Sequence, residues 1–110
     1  WGYEIPKSIE AYKQDEAATV GIELGTPSIT SSNYDEYEEV DNIKQLEEIY
    51  KKENPHLKYV NLRDHGYLLL EITEEEVLAS YHYVETVMER SGEIEVGEDI
   101  RIKTGNNVLK

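Results

Sequence analysis

The sequence has no cysteine and no phenylalanine, and only one methionine, one tryptophan and three prolines in 110 residues. Without cysteine there is no disulfide framework, no thiolate zinc site and no cysteine nucleophile in any redox compartment. Basic residues are scarce: 11 Lys and Arg stand against 24 Asp and Glu, a net charge of −13. That balance argues against a nucleic-acid backbone or an anionic membrane as partner, because both need clustered cations. No apolar run approaches the roughly 18 residues of a membrane span, and no basic-then-apolar leader opens the chain. The chain starts on Trp1 and its only methionine is Met88, so a processed product or a piece cut from a longer protein is expected.

What is present suffices for one small domain with a thin core. Leu, Ile and Val make up about a quarter of the residues, above the roughly 20% below which a highly charged chain stays disordered. Nine tyrosines replace the missing phenylalanines. Tyrosine buries a ring while its hydroxyl reaches water, which suits a thin core; a glycan-binding aromatic platform is the functional alternative.

Residues 1–14 carry scattered apolar side chains and are read as irregular, with a helical turn or two beginning near Lys7 after Pro6. Val20, Ile22 and Leu24 alternate with polar or small neighbours, the period of a half-buried strand beginning near Ala18, which Thr26 and Pro27 interrupt before a polar loop over 30–33. Ile43, Leu46, Ile49 and Tyr50 recur at helical spacing opposite Lys44, Glu47, Glu48 and Lys51. This predicts an amphipathic helix over about 36–53, ended by Asn54 and Pro55. Residues 57–62 and 68–72 read as two strands that could pair as a hairpin about a turn at 61–66. Over 73–90 the signals conflict: Thr73 with Glu76 is a capping-box pattern, and Val77, Tyr81, Val84 and Met88 fall on a helical stripe. Yet Ala79, Tyr81, Tyr83 and Val87 also share one face of an extended chain. Ile94 with Val96, and Ile100 with Ile102, predict two short edge strands followed by a turn over 104–107.

No complete catalytic constellation is visible. His56, His65 and His82 with Asp64 match no metal-site spacing and are read as structural or surface residues. The acidic runs Asp35-Glu36, Glu38-Glu39 and Glu74-Glu75-Glu76 lack the spacing and glycine of an EF-hand loop, and are read as solvated faces. Ser28, Ser31 and Ser32 lie in no nucleophile elbow.

Four blocks nevertheless share order and spacing with one family. Asn54-Pro55-His56-Leu57-Lys58-Tyr59-Val60 followed by residues 65–73, His-Gly-Tyr-Leu-Leu-Leu-Glu-Ile-Thr, resembles the C-terminal signature of the alkaline phosphatase D (PhoD-like) metallophosphoesterases. Residues 22–31, Ile-Glu-Leu-Gly-Thr-Pro-Ser-Ile-Thr-Ser, resemble the family's strand and loop, and Tyr83-Val84-Glu85-Thr86-Val87 its Phe-Val-Asp-Thr-Val ending. Trp1-Gly2-Tyr3-Glu4-Ile5 resembles the segment that follows the family's Gly-Asp-x-His metal motif, with Gly2 in place of an alanine.

The resemblance implies an α+β fold: the C-terminal part of a metallophosphoesterase-type β-sandwich with flanking helices, here mainly antiparallel strands and one amphipathic helix. It favours a strand over 78–87, antiparallel to 67–72. It implies phosphate mono- or diester hydrolysis by the parent with iron and calcium, which supply nucleophile and charge stabilisation, on upstream ligands that map to no residue here. The chain alone is therefore expected to lack a cofactor and to be inactive, with the rest of the catalytic domain as partner. Trp1, Thr30, Ser31 and His56 are the residues expected to line the parent's pocket, and export is expected because the family is commonly exported. The isolated chain is expected to be marginally stable, with residues 1–14 least protected. The alternative is a free-standing acidic module that binds a protein or glycan.

Overall fold

A computed structural model describes residues 1–15, 19–34, 38–86 and 88–109. Within them the order is β1 (Gly2–Pro6), α1 (Ile9–Gln14), β2 (Thr19–Leu24), α2 (Val40–Glu53), β3 (Leu57–Tyr59), β4 (Gly66–Ile72), β5 (Glu76–Val84) and β6 (Ile94–Lys103). The fold is α+β, with antiparallel strands in two three-stranded sheets ordered β2-β1-β3 and β4-β5-β6. The predicted helix is present, and of its expected first residues 36 and 37 lie outside the described ones.

The opening segment departs from the expectation of irregular chain: β1 is the central strand of the first sheet. It shows no apolar alternation because its inward positions are Gly2 and Glu4. Glu4, only 1% exposed, stands opposite Ile22 of β2. The acid is held by Tyr12, whose hydroxyl donates to Oε2 at 2.8 Å, and by the Leu109 N–H, which donates to Oε1 at 3.1 Å. A polar side chain can be buried when its lone pairs are satisfied in this way. Helix α1 then begins on Ser8, whose hydroxyl accepts from the Ala11 N–H at 3.1 Å, an N-cap.

The expected hairpin of the third and fourth strands does not form. β3 pairs with β1, Tyr3 opposite Leu57, and β4 pairs with β5. Once β1 is a strand it offers β3 an edge, and the chain from Asn61 turns away to start a second sheet. The capping-box residues serve that sheet's hairpin: Thr73 Oγ1 accepts from the Glu75 and Glu76 N–H groups at 3.3 and 3.1 Å, across the β4–β5 turn. The same side-chain-to-backbone bonds that start a helix therefore close a β-turn. β5 ends at Val84, short of the predicted 87, and Val87 lies outside the described residues.

The two short edge strands expected near the C-terminus are one ten-residue strand with a bulge. Ile100 and Ile102 stand opposite Ala79 and Val77 on the inner face, whereas Val96 and Ile94 stand opposite His82 and Val84 on the outer face. Residues of the same parity change sides because the register slips between them. Gly97 permits this, since a Cβ there would overlap the Tyr83 ring.

Ala79, Tyr81, Tyr83 and Ile100 form the core, with Leu24 and Tyr59 of the first sheet packed against them. Tyr59 and Tyr83 share a hydrogen bond between their hydroxyls, and the Tyr81 hydroxyl donates to the Trp1 carbonyl at 2.6 Å. Burial pushes the Tyr81 phenol up to about 12, with the Tyr59 charge adding to it, and burial raises Tyr83 further. The described chain is a slab of 45 × 33 × 17 Å. Leu70 and Ile72 share the inner face with Ala79 and Tyr81, yet both stay exposed, Ile72 at 72%.

Candidate functional site

The side chains that gather around a polar cavity come from three places. The first is a turn over 61–65. Asn61 Oδ1 accepts from the N–H groups of Arg63 and Asp64, both at 2.9 Å, while its Nδ2 donates to Asp64 Oδ2 at 2.7 Å. An asparagine that bonds its own backbone two and three residues on makes a rigid local turn. Arg63 pairs with Asp64 at 3.1 Å, and the Leu62 N–H donates to Glu47 Oε1 at 2.8 Å, which ties the turn to α2.

The second is the loop after β2. Ser28 Oγ accepts from the Thr30 and Ser31 N–H groups at 3.3 and 3.0 Å, which curls the loop. Asn33 Nδ2 donates to the Asp64 carbonyl at 3.1 Å and the Tyr34 N–H to the Leu62 carbonyl at 3.2 Å, so loop and turn are stitched together. The third is Trp1, whose backbone exchanges two hydrogen bonds with Gly25, at 2.8 and 2.9 Å. A Cβ on Gly25 would overlap the indole, so only glycine lets the ring lie there.

Between them is a cavity of about 150 Å³ lined by Trp1, Pro27, Ser28, Ser31, Ser32, Asn33, Asn61, Leu62 and His65. Of the four residues proposed from sequence, Trp1 and Ser31 are brought together here. Thr30 is exposed in the same loop and is not among the lining residues. His56 is elsewhere, edge-on to the rings of Tyr3 and Tyr12 at 5.7 and 6.2 Å, and its carbonyl accepts from the Glu4 N–H. Asn33, Asn61 and His65 were not proposed. His65 is 5% exposed, buried rather than at the surface. The available signal was the Asn61-x-x-Asp64 turn pattern directly before His65-Gly66.

The lining offers hydroxyls, carboxamides and an imidazole, groups that orient a polar ligand by hydrogen bonds. It does not fit a metal centre. The three histidines are in three places, with His82 stacked on Tyr67 at 5.0 Å on the outer face of the second sheet. His56 Nδ1 is buried without a hydrogen-bond partner among the described residues, but aromatic rings flank it. Among the described residues no three of His, Asp and Glu come together in a metal-binding group.

The family model for PhoD-like phosphatase matches residues 1–81. The chain belongs to the PhoD-like phosphatase family. The matched stretch carries β1, the loop after β2, α2 and the 61–65 turn, and so every residue that lines the cavity. No curated protein and no solved structure matches the chain. A phosphatase-related function in general follows from membership of the PhoD-like family.

Proposed function

We propose that this PhoD-like chain is the C-terminal portion of a metal-dependent phosphomonoesterase or phosphodiesterase, completing the sheet and one wall of the substrate pocket. The observation that carries this reading is the family match over the elements that build the cavity. When bound, the family's iron and calcium would supply an activated oxygen nucleophile and stabilise charge on the phosphoryl oxygens. The residues of this chain act otherwise: Ser31, Asn33, Asn61 and His65 present hydrogen-bonding groups at one face of a pocket, and the Trp1 ring closes its side.

The inner face of the second sheet supports the same reading. Leu70 and Ile72 are exposed on its apolar side, where the rest of a catalytic domain would cover them. The experiment extends the reading frame upstream of Trp1. A Gly-Asp-x-His motif close ahead, and phosphate-ester hydrolysis that depends on residues 1–110, are the expected results. A reading frame without that motif, or hydrolysis unaffected by deleting residues 1–110, contradicts the proposal.

A further inference from the structure

Trp1 and Leu62 wall a second recess on α2's side of the first sheet. It holds about 340 Å³ and is lined by Trp1, Tyr3, Tyr50, Leu57, Val60 and Leu62. Tyr3 and Leu57 stand opposite each other in the β1–β3 register, and Tyr50 reaches in from α2. The rings are accessible, with Trp1 44% and Tyr50 39% exposed.

A carboxylate stands beside these rings. Glu23 is directly across from Tyr3 in the β1–β2 pair. Its Oε1 accepts from Trp1 Nε1 at 3.3 Å and its Oε2 from the Tyr3 hydroxyl at 2.8 Å. The ion pairs of Arg63 with Asp64 and of Arg101 with Glu76 lie elsewhere, so these do not neutralise it.

We propose that this recess binds a quaternary ammonium cation. Three aromatic rings, those of Trp1 and Tyr50 exposed and that of Tyr3 half-buried, attract a cation through their negative faces, and the carboxylate beside two of them adds charge of the required sign. The chain's net charge of −13 favours the approach of cations generally and opposes that of anions. A primary ammonium, with three N–H groups to satisfy, is drawn to the Glu23 carboxylate itself and gains little from the mostly apolar lining of the recess. A quaternary ammonium has no N–H to satisfy, and its methyl groups match Leu57, Val60 and Leu62. This inference stands apart from the phosphatase reading, because none of these contacts involves phosphate chemistry.

Trp1 is the only tryptophan, so a change in tryptophan fluorescence arises at this ring, and the Glu23 and Tyr50 variants assign it to the recess rather than to the polar cavity that Trp1 also lines. The chain is titrated at constant ionic strength with choline, and in parallel with 3,3-dimethylbutanol, the uncharged isostere. The expected result is a saturable change with choline and binding weaker by about tenfold or more for the isostere. Glu23→Gln and, separately, Tyr50→Leu each weaken choline binding by about fivefold or more. Glu23 is exposed at a sheet edge, and circular dichroism confirms that each variant is folded. Absence of a saturable change, equal binding of the isostere, or unchanged affinity in both variants would overturn the proposal.

Discussion

Replacing Glu4 by alanine tests how the central strand of the first sheet is held to α1 and to the C-terminal tail. Its carboxylate is 1% exposed and holds three parts of the chain together: β1 itself, α1 through the Tyr12 hydroxyl at 2.8 Å, and the C-terminal tail through the Leu109 N–H at 3.1 Å. Relief of carboxylate desolvation opposes the loss, since buried charges are themselves costly. The Tyr12 hydroxyl, in a residue only 3% exposed, loses the acceptor to which it donates, with the Lys58 ammonium, itself only a donor, still beside it. Leu109 is half-buried, so its N–H regains water with a modest shift of the tail. One orphaned buried donor costs about 1–3 kcal/mol and the cavity adds to it. Glu4→Ala is therefore expected to lower stability by about 2–4 kcal/mol, a large share of the total for a domain of this size. Urea unfolding followed by circular dichroism measures this, with an unchanged slope showing that compactness is preserved. The double-mutant cycle with Tyr12→Phe isolates the pair, and coupling of about 1 kcal/mol or more is expected. A Glu4→Ala chain within about 0.5 kcal/mol of the parent would refute the claim that this carboxylate holds α1 to β1.

Tyr81→Phe removes the donor to the Trp1 carbonyl and is expected to cost about 1 kcal/mol, with a change in Trp1 fluorescence that a purely packing role would not produce. Because burial raises the Tyr81 and Tyr83 phenols, the neutral forms favour the fold. Both contributions are full below the ordinary tyrosine value near 10; that of Tyr81 is lost as pH rises through about 12, and that of Tyr83 persists to higher pH. Phenolate absorbance and circular dichroism should then change together, and titration of every tyrosine with the sheets intact would contradict this. Gly66→Ala places a Cβ on the His82 carbonyl across the β4–β5 pair, so it is expected to destabilise by about 3 kcal/mol or more in thermal unfolding. Amide hydrogen exchange should show β1 among the protected strands, reversing the expectation that residues 1–14 are the least protected, since β1 is bonded on both sides.

Helix α2 and strand β2 were legible because their apolar residues repeat with the period of the element, although Val20 and Ile49 stay exposed and only Ile43 of the helical stripe is fully buried. β1 was not, because a glycine and a glutamate occupy its inward positions, and a buried acid looks in sequence like a surface residue. The partner of β3 followed from that miss, since the sequence-adjacent strand was the only edge then in view. β5 became legible only through the family resemblance, because Thr73 makes capping-type bonds in a hairpin turn. The sidedness of β6 depends on one bulge, which shifts every residue beyond it to the opposite face. In the cavity, Trp1 and Ser31 belong to matched blocks, whereas Asn33 and Asn61 serve as turn residues as well as lining and were absorbed by that role.

The central claim, that this chain contributes structure and a pocket wall to a phosphatase whose metal ligands lie outside it, is tested most directly by assaying the 110-residue chain alone. Purified chain is incubated with p-nitrophenyl phosphate and bis-p-nitrophenyl phosphate in the presence of iron and calcium. The account predicts no hydrolysis above the metal-only background. Metal-dependent turnover that persists through repurification and scales with chain concentration would contradict it.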